Sequence, residues 1–310
     1  PRQLTGDGMS GLWHLPALDQ ARLIRTRAAS AREVMRSFLD RLEAVNGRIN
    51  AVVETRAEEA LALADAADAA VKCGEALTPL HGVPVTIKVN ADQKGYATTN
   101  GVVAYKDLIA PEDSGVVANL RGSGAIPVGR TNAPCYSYRF FTDNALHGRT
   151  LNPRNPALTP GGSSGGASAA LAAGIGAIAH GNDLGGSIRY PAYACGVAGI
   201  RPSLGRVPAY NPLAAAERPI TLQLFSVQGP LARHIADLRA ALVAMMTGPQ
   251  PDPWHIPAPL AGAPVARPIR VGLATLGADP PVEAALRQAA GWLAEVGYAV
   301  EEVTPPHWDE

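Results

Sequence analysis

Between Thr159 and Pro191 the chain reads TPGGSSGGASAALAAGIGAIAHGNDLGGSIRYP. Two Gly/Ser clusters, Gly161 to Gly166 and Gly185 to Ser187, bracket a run of small residues. From Ala167 to Ala179 that run holds no charge and only Ser168 as a polar side chain. A flexible, solvated linker would not continue into so apolar a stretch. Glycine here instead marks backbone that approaches a ligand closely or adopts conformations closed to residues with a Cβ atom. The run between the clusters suits one buried helix followed by one buried strand, which would bring the two serine loops face to face.

The rest of the chain is arranged around this unit. From Leu80 onward, short apolar runs alternate with helical segments. Strands are expected over Val83 to Val89 and Ile126 to Gly129, and a helix capped by Asp113 or Ser114 should run through Leu120. Ala167 to Ala173 then gives a helix and Ile175 to His180 a strand. Ile269 to Ala274, Pro281 to Val296 and Tyr298 to Val303 repeat strand, helix, strand. Such alternation predicts the α/β class: a mixed, largely parallel β-sheet covered by helices on both faces.

Upstream, Ala17 to Thr26 has helical apolar spacing. Ser30 and Glu33 form a capping box that should start a helix reaching about Asn46, and Thr55 with Glu58 a second that should open one to about Lys72. Residues 1–75 thus read as an N-terminal helical layer, 80–247 as a catalytic core, 248–268 as a Pro-rich loop or linker, and 269–310 as a further α/β unit. The chain is expected to form a single domain, incomplete at its C-terminus because the last strand has no closing element.

Composition narrows the partners. Lys+Arg and Asp+Glu both number 27, so no net field would hold a nucleic acid or an anionic membrane. Cys73, Cys135 and Cys195 form no C-x-x-C pair and suit free thiols. With no long apolar span and no signal segment, a soluble, cytoplasmic protein is expected. A homo-oligomer stays open.

Three blocks of residues carry a resemblance. Gly161-Gly162-Ser163-Ser164-Gly165-Gly166, followed by Asp183-Leu184-Gly185-Gly186-Ser187-Ile188-Arg189-Tyr190-Pro191, resembles the signature of the amidase signature family, serine hydrolases with a Ser, cis-Ser, Lys triad. His81 to Lys88 resembles the family's lysine strand, and Gly129 to Pro134 its next strand and loop. The blocks occur in order across residues 81 to 191, with weaker likeness from about Leu18 to the end. Family members normally continue through further α/β units.

Spacing alone leaves Ser187 either a nucleophile or the cap of the helix that follows; the resemblance implies the nucleophile. A serine hydroxyl needs a base. The seven histidines form no local Ser-His-Asp pattern, whereas Lys88 ends an apolar strand where burial could lower its pKa. Taken alone, Lys88 reads first as an ordinary strand-end lysine with its head in water. By resemblance it is the base, and Ser163, in a cis peptide with Gly162, relays the proton. Ser164 would orient Lys88 or make a simple loop hydrogen bond.

Leu184, Gly185 and Gly186 can aim backbone N–H groups at a developing oxyanion. Asp183 and Arg189 would brace that loop as an ion pair. Asn132, Gly162, Tyr136 and Tyr138 are candidate substrate-binding residues, with Phe140 and Phe141 in the same aromatic segment. Asn182 departs from the hydroxyl residue more frequent there in the family, a change expected to touch the loop's hydrogen bonds but not the triad.

The resemblance implies a hydrolase without cofactor or metal that cleaves carbon–nitrogen bonds of small-molecule amides, extending to aryl amides and carbamates (urethanes), through an acyl-enzyme. Two alternatives belong to other classes. An amidotransferase subunit would work beside a partner chain and release ammonia from glutamine. A non-enzymatic phosphate-binding module could use the Gly-rich loop as an anion cradle, but the loop lacks a G-K-[ST] ending and Gly174-Ile175-Gly176 lacks a third glycine. No H-E-x-x-H spacing supports a metal hydrolase.

Overall fold

The computed structural model describes residues 11–214, 218–248 and 252–304. It divides into two compact units, Pro1–Ala258 and Pro259–Glu310.

In the first unit, α1 (Ala17–Arg25) and α2 (Ala31–Ile49) lie where the apolar spacing predicts them. Ser30 caps α2 with both bonds of the capping box: its hydroxyl accepts from Glu33 N, and the Glu33 carboxylate accepts from Ser30 N. The second predicted box does not form. Thr55 is the last residue of an unforeseen strand, β1 (Val52–Thr55), and its hydroxyl donates to the carbonyl of Val128 at 2.9 Å. Helix α3 (Ala57–Cys73) therefore starts without a side-chain cap. The pairing partner across the sheet claimed the threonine, and four residues are too short to announce a strand.

The sheet continues with β2 (Pro84–Lys88), β3 (Ile126–Thr131), β4 (Ile178–Asp183), β5 (Ala198–Gly199) and β6 (Val227–Ala232). Between them lie α4 (Gly115–Gly122), α5 (Gly165–Ala172), α6 (Arg189–Cys195) and α7 (Ile220–Phe225), and α8 (Ile235–Met246) follows. Ser114 precedes α4 as expected, but its side chain makes no capping bond. Strand order is β1-β3-β2-β4-β6-β5.

The expectation of a largely parallel sheet needs correction. Only β3-β2 and β2-β4 pair in parallel, whereas β1-β3, β4-β6 and β5-β6 are antiparallel. Parallel neighbours need a crossover. Helix α4 supplies one from β2 to β3, and α5 supplies the other from β3 past β2 to β4. Of the antiparallel strands around this centre, β1 and β5 are too short to have been read from periodicity, and six-residue β6 is interrupted by Gly229 and Pro230, which do not read as a strand interior. β4 also starts later than predicted, because Gly174 and Gly176, both at positive φ, spend the intervening residues on a turn.

Helices flank the sheet. α5 is built only of Gly, Ala, Ser and Leu, and its first seven residues are buried. Its Ala167 and Leu171 pack with Ala179 of β4, Leu231 of β6 and Ile188 and Ala192 at α6. Its other side joins the core of α1, α2, α3, Val52 and Val128. α8 packs on α4 and β6. In the second unit, β7 (Arg270–Leu273) pairs in parallel with β8 (Ala299–Glu302) through the crossover helix α9 (Pro280–Glu295).

Among the described residues no helix is long and apolar enough to cross a membrane, and no group of three or more His, Cys, Asp or Glu could hold a metal ion. Cys73 and Cys135 are exposed free thiols and Cys195 a buried one.

Candidate active site

Three elements converge at the C-terminal ends of the parallel strands. β2 ends in Lys88, the turn before α5 carries Ser163 and Ser164, and β4 runs out through Asn182 and Asp183 into the Leu184-to-Ser187 loop. Lys88 is wholly buried. Its Nζ lies 2.7 Å from Ser163 Oγ, 2.7 Å from Asn182 Oδ1 and 3.2 Å from Ser164 Oγ. Burial lowers its pKa from 10.5 to about 7, against the opposing pull of the Asp183 carboxylate. A neutral amine is therefore present in quantity near neutral pH. The Gly162–Ser163 peptide is cis.

Gly162 and Gly166 explain the glycine content of this turn. A Cβ on Gly162 would lie 2.4 Å from the Arg139 carbonyl oxygen, and one on Gly166 would lie 2.4 Å from Asn132 N. Only glycine lets the start of α5 settle against these backbones.

Ser187 stands just before α6, is half-buried and makes no side-chain capping bond. Its carbonyl accepts from Ser164 N at 3.2 Å. No hydrogen bond joins the Ser163 and Ser187 hydroxyls; both residues open onto one cavity. The loop between Asp183 and Ser187 is shaped by the Asp183 side chain, which accepts from the N–H groups of Gly186, Ile188 and Arg189 and pairs with the Arg189 guanidinium at 2.9 Å. Arg201 Nε approaches it at 3.7 Å. Burial alone would raise the Asp183 carboxyl, but the bonds from Arg189, Ile188 and Gly186 outweigh it and bring the pKa down to about 2. Of the three N–H groups expected at an oxyanion, that of Gly186 is thus already engaged, while those of Leu184 and Gly185 make no hydrogen bond among the described residues.

The cavity has a volume of about 470 Å³. Tyr136 and Tyr138 border it, as do Asn90, Asn182, Ser163, Leu184 and Ser187, with Tyr210, Arg218, Asp252 and Trp254 farther along. Tyr136 adopts φ +52 and its hydroxyl donates to that of Tyr105. The other candidate substrate-binding residues do not line this cavity. Asn132 is wholly buried; its carboxamide donates to Gly148 O and Thr150 Oγ1 and accepts from Ala133 N and Asn144, so it ties loops together behind the site. Gly162 is packed under the Arg139–Phe141 backbone. Phe140 stacks edge-on with Tyr190, and Phe141 lies beside Arg139.

Two residues were not assigned a direct role from the sequence. Asn182 touches Lys88 itself rather than only the loop. Asn90, two residues beyond Lys88, accepts from Asn182 Nδ2 at 2.9 Å. Asn90 lies in the turn just past the end of β2 and Asn182 is the next-to-last residue of β4, a signal visible only once the strand ends are known. The His180 ring accepts from the Lys88 backbone N–H through Nδ1 and bonds Gln228 through Nε2. Burial pushes its pKa down to about 3, so it stays neutral, and both its ring nitrogens are engaged by Lys88 N and Gln228.

Comparison with known proteins gives the family of the chain. A family profile described as Amidase matches residues 33–310. The chain is 54% identical over 299 residues to an indoleacetamide hydrolase of Bradyrhizobium diazoefficiens, covering 95% of this chain and 57% of that protein. It is 36% identical to one component of the glutamyl-tRNA(Gln) amidotransferase of Moorella thermoacetica, over 96% of this chain and 61% of that one. The crystal structure of a bacterial aryl acylamidase of the amidase signature family superposes with a TM-score of 0.83 at 32% identity, covering 94% of this chain and 62% of that one. The chain belongs to the amidase family. It spans less than two thirds of the length of each of these relatives.

Proposed function

We propose that this chain carries the catalytic core of an amidase that cleaves carbon–nitrogen bonds through a serine acyl-enzyme. The observation that carries the reading is a wholly buried Lys88 amine, its pKa about 7, held 2.7 Å from Ser163 Oγ on a cavity that Ser187 shares. Neutral Lys88 takes the proton of Ser163 as Ser163 takes that of Ser187, and Ser187 Oγ attacks the substrate carbonyl carbon. The carbonyl oxygen, now an oxyanion, accepts from the unengaged N–H groups of Leu184 and Gly185. On collapse the C–N bond breaks, and the leaving nitrogen takes the proton back through Ser163. Water then attacks the acyl-enzyme by the same proton path in reverse, releasing the acid and Ser187.

For the substrate we infer a primary amide or anilide with an aromatic group, reacting faster than glutamine. The 54% identity to an indoleacetamide hydrolase supports an arylacetamide, and Tyr136, Tyr138, Tyr210 and Trp254 supply flat surfaces along the cavity. A carbamate offers the same tetrahedral attack. Three free thiols suit a reducing cytoplasm.

A turnover screen on indole-3-acetamide, an anilide, an aryl carbamate and glutamine, each with wild type and Ser187→Ala, tests the reading. Turnover of the aromatic amides that drops by roughly 10⁴-fold or more in Ser187→Ala is expected. Wild-type turnover by Ser187→Ala overturns the nucleophile assignment, and activity on glutamine alone with a partner chain favours an amidotransferase.

A further inference from the structure

Three oxygens surround Lys88 Nζ, and they are not equivalent. Asn182 Oδ1 has no hydrogen to give, so at 2.7 Å it accepts. Its orientation is set from behind: Asn182 Nδ2 donates to Asn90 Oδ1 at 2.9 Å, and Asn90 Nδ2 donates to Ser137 Oγ at 3.1 Å. The Asn182 carboxamide thereby has its oxygen turned toward Lys88. Ser164 also accepts from Nζ, because its own hydrogen points to the Asn182 carbonyl at 3.4 Å. A protonated Lys88 then has three N–H groups and three acceptors. A neutral amine has two N–H groups and one lone pair. With Asn182 and Ser164 holding both N–H groups, the lone pair faces the third oxygen, the Ser163 hydroxyl.

We propose that Asn182, oriented by Asn90, is a positioning residue that fixes the rotation of the Lys88 amine so that its lone pair meets the Ser163 hydroxyl. The inference rests on the reading of Lys88 as base. A hydroxyl at position 182 can rotate to donate or accept, whereas a carboxamide clamped by a second carboxamide presents one fixed acceptor. The titratable groups packed around Lys88 are Asp183 and His180, both on β4, with Arg130 of β3 acting on His180; α5 and the turn before it contribute only the Ser163 and Ser164 hydroxyls. Asp183 is committed to the loop N–H groups and Arg189, and His180 is neutral. An orienting contact from Asn182 therefore acts on direction without adding charge.

Four variants of the full-length protein, assayed for kcat, KM and the pH dependence of kcat/KM on a turned-over amide, test this. Asn182→Ala should lower kcat by roughly tenfold or more, out of the 10²–10⁴-fold that a placed general base contributes, with KM little changed. Asn182→Thr, which restores an acceptor, should recover part of the loss. Asn182→Asp keeps the shape but puts a carboxylate on the ammonium, so the alkaline-rising limb should move up by about one to three pH units. Wild-type kcat in Asn182→Ala together with an unmoved limb in Asn182→Asp overturns the proposal. Lys88→Met separates the two readings: if it is inactive while the Asn182 variants behave as wild type, only the positioning role fails, and if it retains wild-type kcat, the base assignment fails and the positioning role with it. Circular dichroism and thermal melting of each variant identify loss of fold, and the isosteric Asp variant still reads the pH limb if the Ala variant does not fold.

Discussion

The backbone N–H of Ser164 donates to the carbonyl oxygen of Ser187 at 3.2 Å. One hydrogen bond thus ties together two loops that a helix and a strand separate in sequence, and it does so through main-chain atoms, so the Ser187 hydroxyl takes no part in it. Lys88 reaches the same place from the end of β2. Each of these pieces lies at the end of a strand or the start of a helix.

Catalysis should follow the protonation state of Lys88. With its pKa lowered to about 7 by burial, kcat/KM should rise with pH through a single limb near neutrality and level off in mildly alkaline buffer. Initial rates across pH 5 to 9, roughly, check this; a flat profile counts against a lysine base.

The same shift predicts a stability effect of definite sign. Between about 7 and 10.5 the unfolded chain binds a proton at this lysine that the folded chain does not, so folding loses stability as pH falls through that window. Below about 7 the full penalty of burying the ammonium is present; above 10.5 it vanishes. Lys88→Met removes this term. Its stability relative to wild type should therefore increase by a few kcal/mol, roughly, as pH drops from 10 to 6. Urea titrations at several pH values read the difference, and a pH-independent difference contradicts a lysine displaced from its ordinary pKa.

Asp183→Asn tests the loop. The substitution keeps the shape but removes the charge that Gly186, Ile188 and Arg189 all address. A loss of about 1–3 kcal/mol is expected, with a fall in kcat larger than any rise in KM. Because the folded carboxyl titrates at about 2, below the ordinary 3.8, the contribution of Asp183 is present above roughly pH 4 and fades as pH falls toward 2. Thermal melts of wild type and variant should converge in acid; a constant gap means the aspartate acts through packing alone.

Gly166→Ala should be among the most damaging single methyl additions in the first unit. The added carbon would lie 2.4 Å from Asn132 N, 2.5 Å from Asn132 O and 2.8 Å from Ala51 O, all backbone atoms that cannot rotate aside. Helix α5 must retreat, taking Ser163 and Ser164 with it. We expect a stability loss of about 1–3 kcal/mol accompanied by reduced kcat. A melting temperature equal to that of wild type shows that the helix has room.

The sequence determined the pieces of this protein. The Gly/Ser clusters and the small-residue run between them dictated a buried helix and strand with serine loops at their ends, because glycine and alanine permit close backbone approach wherever they are placed. Ser30 and Glu33 fixed the start of α2 by contacts three residues apart, and Lys88 was legible as the end of an apolar strand. Such features are local, and local rules read them. Tertiary structure decided what the pieces meet. The four-residue β1 exists only because β3 lies beside it, and that pairing took the Thr55 hydroxyl away from α3. The antiparallel edges of the sheet, the burial of Asn132 behind the site, and the contact of Asn182 with Lys88 all join residues far apart in sequence. No periodicity encodes them, since a hydrogen bond between distant residues depends on where the whole backbone brings each donor and acceptor.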